Sequence, residues 1–368
     1  MSSETGVRPL RVGIVGAGFI SQFQLSALSR LGAAKVVAVC DPVKARAEAM
    51  ASRWSIEQSF DSVDDMLRQS SLDVVHILAP PSQHAPIALR CVAAGAHLFV
   101  EKPVTTSAAD ARMLFEAARR ADRQIGVNHN LLFHPAFTRL TQAIRKWRFG
   151  RVRHVAATWR VPLRQLESKQ FDSWMFASTG NIILEQAIHP LSVIAFLVGS
   201  PQSVSVLPSS AQTLPNGVRF VENWDVSMVC ERGTATLALS FGRGFPATAV
   251  AVYGDDAVGT VDFRLNTFAA TGHSRFSPPL NEIAQTASLA GAVSRDTLLN
   301  LAARAMQVLK FKPDVFTQTI EASVRHFYGG LNAGADRGAD ARHAGLIQTC
   351  EDIGAGAHAE IPREVQLT

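Results

Sequence analysis

From residue 10 to about 128 the apolar positions alternate between two periods. Short runs rich in β-branched residues, at Leu10–Val15, Val36–Cys40, Asp73–Ala79, His97–Val100 and Gln124–Asn128, predict buried strands. Between them, apolar residues spaced three and four apart predict helices over Phe19–Leu31, Val43–Arg53, Val63–Gln69, Ala85–Ala94 and Ser107–Ala121. Ser107, with Asp110 three positions on, is a helix N-cap. Strands and helices taken in strict turn predict an α/β fold, a doubly wound parallel sheet.

Past residue 128 the pattern changes. A helix around Ala136–Arg145 precedes a strand at Val152–Arg160, then a polar loop to Thr179 and an apolar helix ending near Val198. Strands then crowd together at Ser203–Leu207, Arg219–Cys230, Thr234–Ser240, Thr248–Tyr253 and Gly259–Phe263, joined by short turns such as Glu231-Arg232-Gly233. Close spacing of this kind predicts an antiparallel sheet, in a part of the chain distinct from the first. Residues 265–295 show little periodicity and read as a loop or partly ordered excursion. Helical pattern returns at Thr297–Val308, Val315–Tyr328 and Asp340–Ile353. The division expected is 1–128 and 129–368.

Size and composition agree with two packed domains. The chain has 368 residues, 47% hydrophobic and 18% charged, ample for two cores and too apolar for disorder. The formal net charge is +5, but the basic residues are scattered. Their densest cluster, Arg145-Lys146-Trp147-Arg148 with Arg151 and Arg153, reads as a solvated turn, so no nucleic-acid partner is expected. The four cysteines are far apart and have no metal-ligand spacing. Asp61, Asp64 and Asp65 read as a solvated helix start, and no metal site is expected. Neither an apolar leader nor a run of eighteen apolar residues is found, so the expectation is a cytoplasmic protein with no membrane partner.

The first strand runs into Gly16-Ala17-Gly18-Phe19-Ile20-Ser21, and the second ends in Asp41, 23 residues after Gly18. A strand, a glycine turn, a helix N-terminus and an acidic strand end form a dinucleotide-binding unit. Gly16 makes the turn and Gly18 lets a pyrophosphate approach. Free N–H groups at the helix start receive it, and the carboxylate accepts ribose hydroxyls. Ser21 replaces the third glycine of the usual fingerprint. A carboxylate at position 41 favours NAD over NADP by repelling a 2′-phosphate, while the nearby Lys44 and Arg46 soften that preference.

Two further motifs carry chemistry. His97–Val100 ends in Glu101-Lys102-Pro103, and ligands of such sheets bind at strand carboxyl ends. Taken alone, the tripeptide is equally a surface turn. Glu185 and His189 stand four apart and share a helix face, so the carboxylate can orient the imidazole as a general base. By themselves they could equally be a surface pair. Pro190 kinks, breaks or begins that helix. Asn128, His129 and His134 lie near the end of a parallel strand, where they either line a pocket or serve as turn hydrogen-bonders. Trp147, Trp159 and Trp174 read as core or interface anchors, with Trp174 close enough to the Glu185 motif to be a substrate candidate.

The combination resembles the glucose–fructose oxidoreductase, inositol dehydrogenase and MocA-like oxidoreductases. It rests on Gly16-Ala17-Gly18, Asp41, Pro80-Pro81-Ser82-Gln83-His84, Glu101-Lys102-Pro103, Val127 through Pro135, and Glu185 with His189 after Trp174. The resemblance implies a Rossmann domain followed by an α/β domain with an open, mostly antiparallel sheet, and a nicotinamide-dependent enzyme that moves a hydride between NAD, or NADP, and a secondary alcohol or ketone of a sugar, cyclitol or related polyol. It implies a cofactor site at Gly16, Gly18, Phe19, Ile20, Asp41, Pro80, His84, Glu101 and Lys102. Lys102 would bind the reacting oxygen, His189 would act as acid/base with Glu185 behind it, and Asn128, His129 and Trp174 would meet the substrate. A homodimer or homotetramer is the implied assembly. Two positions depart from the family's pattern: Glu185 stands where aspartate is usual, and Leu132 where a basic residue is common. The rival readings are a glycoside-cleaving enzyme on the same scaffold and a non-catalytic nucleotide-sensing regulator.

Overall fold

The structure, a computed structural model, describes residues 8–146, 148–273, 277–309, 313–331 and 337–358. Trp147 lies outside them. The chain forms two compact units, Met1–Asn130 with Phe316–Ala344 and Leu131–Val315 with Gly345–Thr368.

In the first unit β1 (Leu10–Val15), α1 (Ser21–Ser29), β2 (Ala34–Cys40), α2 (Lys44–Trp54), β3 (Gln58–Phe60), α3 (Val63–Gln69), β4 (Val74–Ile77), α4 (His84–Ala93), β5 (His97–Val100), α5 (Ala108–Arg120) and β6 (Ile125–Val127) follow in turn. The six strands are all parallel, in the order β3-β2-β1-β4-β5-β6. Central strands are buried on both faces, which is why β4 and β5 read as mostly apolar runs, interrupted in β4 by His76. Strand order reverses between β1 and β4, and the carboxyl ends of the strands release the turn at 16–20, Asp41, the loop at 78–83, Glu101-Lys102 and Asn128-His129 on one edge of the sheet. Ser107 caps α5 as expected, accepting from the Asp110 N–H at 3.1 Å. A later helix over Val315–Leu331 completes this core, with Ile320, Val324, Phe327 and Tyr328 buried among Val12, Ile14 and Val39. A boundary at residue 128 takes no account of this returning segment, because its apolar stripe does not reveal which sheet it covers.

The second unit contains α6 (Pro135–Arg145), β7 (Val152–Arg160), α7 (Arg164–Ser168), α8 (Ile188–Val198), β8 (Pro201–Thr213), β9 (Arg219–Cys230), β10 (Gly233–Ser240), β11 (Ala247–Gly254), β12 (Ala257–Asp262), β13 (Thr267–Gly272) and α9 (Pro278–Val308). The chain then continues through α10 (Val315–Leu331) and α11 (Arg337–Ala355), whose residues from Gly345 onward belong to the second unit. Seven strands lie in the order β13-β12-β11-β7-β10-β9-β8; β7 and β10 are parallel and every other pair is antiparallel. Helices α6 and α8 pack on this sheet. In β9, Val226, Met228 and Cys230 are buried while Asp225, Ser227 and Val229 are exposed, the alternation of a half-covered sheet.

One expectation is corrected. The described residues between 265 and 295 are not a loop: they hold β13 and just over half of α9. The helix is rich in Ala, Gly, Ser and Thr and its leucines are exposed, so no core-facing apolar period marks it. Among the described residues no helix is long and apolar enough to cross a membrane, and no group of three or more His, Cys, Asp or Glu is placed to hold a metal ion. Ser62 caps α3, and Asp64 and Asp65 pair with Arg90 and Arg68. All four cysteines are buried and free.

Candidate active site

The glycine turn is held from both ends. Gly16 has φ +102°, and a Cβ there would lie 2.7 Å from the Leu78 carbonyl, so any other residue would be both strained and overcrowded. A Cβ on Gly18 would meet nothing within 4 Å. The space it would enter is open, as a turn that receives a ligand requires. Asp41, only 6% exposed, accepts from the Ala17 N–H and the Val43 N–H, both at 2.9 Å, and so clasps the turn to the end of β2. The N-terminus of α1 has no side-chain cap and no acidic residue in its first turn, leaving its dipole and N–H groups to an anion. Ser21 donates its hydroxyl to the Gly18 carbonyl. Ile20 precedes the helix as its N-cap residue, and Phe19 is 73% exposed, with its ring edge-on to Phe23. This cradle fits a dinucleotide.

His84 is fully buried, with its ring nitrogens 2.8 Å from the Pro103 carbonyl and 2.7 Å from the Ala79 carbonyl. It ties the loop that carries Pro80 to the Glu-Lys-Pro turn. The Lys102–Pro103 peptide bond is cis.

Beyond β5 and β6 a polar cluster is threaded into the apolar sheet. Glu101 Oε1 accepts from Asn128 Nδ2 at 2.7 Å and Gln24 Nε2 at 2.9 Å. Gln24 Oε1 lies 3.2 Å from His76 Nδ1, and His76 Nε2 lies 3.0 Å from the Tyr328 hydroxyl. Gln24 and His76 are completely buried. Burial raises the Glu101 carboxyl above its ordinary range, opposed by the two amide donors and the Lys102 ammonium. Two buried atoms of this cluster, Asn128 Oδ1 and His129 Nδ1, have no hydrogen-bond partner among the described residues. His129 stacks on His343, with its Nε2 3.1 Å from His343 Nδ1. Burial, with His343 and Lys102 acting the same way, holds the His129 imidazole well below its usual range and therefore neutral.

The chain Glu101–Gln24–His76–Tyr328 is not legible in the sequence, because bonded neighbours in it are up to 252 residues apart. The one signal is a histidine inside the apolar run Val74-Val75-His76-Ile77. Burial pushes His76 down to about 3. Below the unfolded value near 6.5 the unfolded chain takes up a proton that the native ring refuses. Stability is therefore present above pH 6.5 and is lost as pH falls toward 3, by about 1.4 kcal/mol per pH unit at most. His76→Gln is expected to weaken folding at neutral pH and to make the decline between pH 6 and 4 shallower by about 1 kcal/mol per unit. Urea midpoints across pH give the comparison, and an unchanged slope would contradict it.

In the second unit the segment Ile183–Ala187 is a π-helix that runs directly into α8. Pro190 lacks the N–H for the Gln186 carbonyl and its ring crowds that group, which gives a physical reason for the wider turn before it. Glu185 and His189 flank the junction, each partly exposed beside buried Leu184, Ile188 and Pro190. The His189 ring stacks on the Trp159 indole of β7, with centroids 5.7 Å apart and planes at 25°. Trp159 Nε1 donates to Gln186 Oε1 at 3.4 Å, and the Ser192 hydroxyl donates to the His189 carbonyl at 2.7 Å. Trp159 and Gln186 are thus part of the setting of His189, a role that a tryptophan in an ordinary strand pattern does not announce. Trp174 is half-buried in a short 3₁₀ turn, its carbonyl accepting from Asn181 at 2.7 Å. His134 caps α6 through the Ala136 N–H, and burial lowers it to about 4.

Comparison with known proteins places these features. Residues 10–129 match the NAD-binding Rossmann fold of an oxidoreductase family, GFO/IDH/MocA, and residues 137–264 match the GFO/IDH/MocA C-terminal domain. The chain belongs to the GFO/IDH/MocA family. It is an oxidoreductase, and its first unit is the NAD-binding domain. It is 27% identical over 245 residues to dTDP-3,4-didehydro-2,6-dideoxy-alpha-D-glucose 3-reductase from Streptomyces violaceoruber, covering 66% of this chain and 69% of that one. It is 28% identical over 231 residues to inositol 2-dehydrogenase from Rhizobium meliloti, covering 62% and 67%. Among solved structures, the WlbA dehydrogenase from Bordetella pertussis, in complex with NADH and UDP-GlcNAcA, shares the fold with a TM-score of 0.72 at 18% identity over 95% of each chain.

Proposed function

We propose that the protein moves a hydride between NAD and a secondary alcohol or ketone of a sugar or cyclitol. The observation that carries this reading is the cluster at the ends of β5 and β6. There an ammonium at Lys102 adjoins a buried carboxyl and two buried polar atoms that have no hydrogen-bond partner among the described residues, a costly arrangement unless a polar ligand meets it. Bound NAD supplies the hydride acceptor. Lys102 donates to the substrate oxygen on which negative charge grows. His189, held against Trp159, takes the hydroxyl proton, and Glu185 sets its basicity and orientation. Asn128 Oδ1 and His129 Nδ1 accept from hydroxyl or amide donors of the bound molecules, and Trp174 offers a ring to the substrate. His84 acts by holding the cofactor loop in place.

Asp41 makes NAD the expected cofactor over NADP. Asp41→Ala removes two ribose-facing acceptor oxygens and also loosens the turn they clasp. Loss of a charge-assisted bond of about 1.5–3 kcal/mol is expected to weaken NAD by roughly 10–100-fold. NADP should weaken less, narrowing the gap. Titration of both cofactors against tryptophan fluorescence reads this, and tighter NADP binding by the natural chain would refute it.

A further inference from the structure

Helix α9 is built inside out. A helix that packs only on its own domain turns its apolar side inward, yet the side chains that fasten α9 are polar. Asp296, 1% exposed, accepts from the Phe268 N–H at 2.8 Å and from Arg139 at 3.0 Å. Asn300 donates to the Leu265 carbonyl at 2.7 Å, and Gln285 donates to the Gly272 carbonyl at 3.1 Å. On the far side of the cylinder, Ile283, Leu298 and Leu301 are 66%, 67% and 60% exposed. Together with Ser294, and with Leu280 and Val308 at the ends, they form a stripe within about 40° of one line along the helix, counted at 100° per residue. No charged residue falls in it.

The order of sizes along the stripe names its occupant. Counted outward from Ser294, every bulky residue between the ends has alanine at its mirror position: Leu298 opposite Ala290, Leu301 opposite Ala287, Ile283 opposite Ala305. These alanines and Ser294 are exposed. Two copies laid antiparallel about a two-fold axis through Ser294 would set Ile283, Leu298 and Leu301 each against an alanine over about 33 Å, with Leu280 meeting Val308 at the two ends. A partner of any other sequence would not call for this mirror symmetry, nor would a helix waiting only for solvent. We propose that a second copy of this chain covers the outer stripe of α9, the two helices crossing antiparallel at Ser294, where small side chains allow close approach.

The test uses the full chain. Ser294→Cys brings two thiols together at the axis, while the four native cysteines are buried. Mild oxidation is expected to shift most of the protein to twice its mass on a non-reducing gel. Leu280→Cys, about 40 Å from its counterpart in an antiparallel pair, is expected to stay at single mass. Absence of the Ser294 cross-link, or equal cross-linking through position 280, overturns the proposal. Leu301→Glu is expected to halve the light-scattering mass while NAD binding is retained. A monomeric natural chain, or an unchanged mass in the folded variant, also overturns it.

Discussion

Replacing Lys102 by alanine is expected to lower turnover by about 10²–10³-fold while NAD affinity changes little. That span is the usual loss when one donor to a developing oxyanion is removed. Lys102 follows β5 at its carboxyl end, and its ammonium is close enough to shift Glu101 and His129. On the proposed reading its partner gains charge only as the hydroxyl loses its proton and carbon its hydride. The lost interaction therefore falls on turnover more than on binding. The pyrophosphate cradle at Gly16–Ser21 lies on other strands and is untouched by the substitution. Steady-state kinetics beside calorimetric NAD titration separate the two effects. Loss confined to NAD affinity would make Lys102 a cofactor anchor only.

His189→Ala is expected to cost about 10²–10⁴-fold, the span for a positioned acid/base, and to remove the acidic limb of the pH–rate profile. Glu185→Gln should cost less, since it acts through the imidazole. Trp159→Leu provides a control for position. It deletes the stacked indole that holds His189, so turnover should fall while the limb persists. If His189→Ala kept near-full turnover and the same profile, the base would lie elsewhere, and the neutral, buried His129 is the next candidate.

How far the sequence could be read follows from the range of the forces involved. The unit from β1 to β2 is plain because a glycine turn, a helix start and an acidic strand end are local events within thirty residues. The π segment before α8 was half legible: Pro190 marks a disturbance, but whether the chain kinks, breaks or widens depends on the packing of Ile183, Leu184 and Ile188. The chain from Glu101 to Tyr328 was illegible because it closes through tertiary contacts, and Gln24 lies in a stretch that otherwise reads as an amphipathic helix. Helix α9 was missed for the opposite reason. Its buried contacts are made by Asp296, Asn300 and Gln285 while its leucines are exposed, so a search for a core-facing apolar stripe finds none.

The central claim is hydride exchange between NAD and a secondary alcohol or ketone. It is tested most directly by incubating the natural chain with NAD and a panel of sugars, inositols and nucleotide-linked sugars, or with reduced NAD and their keto forms, and following the absorbance of the reduced nicotinamide. At least one pair is expected to interconvert with one reduced cofactor formed or consumed per carbonyl, and Lys102→Ala should lower that signal by about 10²–10³-fold. Normal NAD binding with no turnover of any member, or release of an aglycone without net reduced cofactor, would contradict the account.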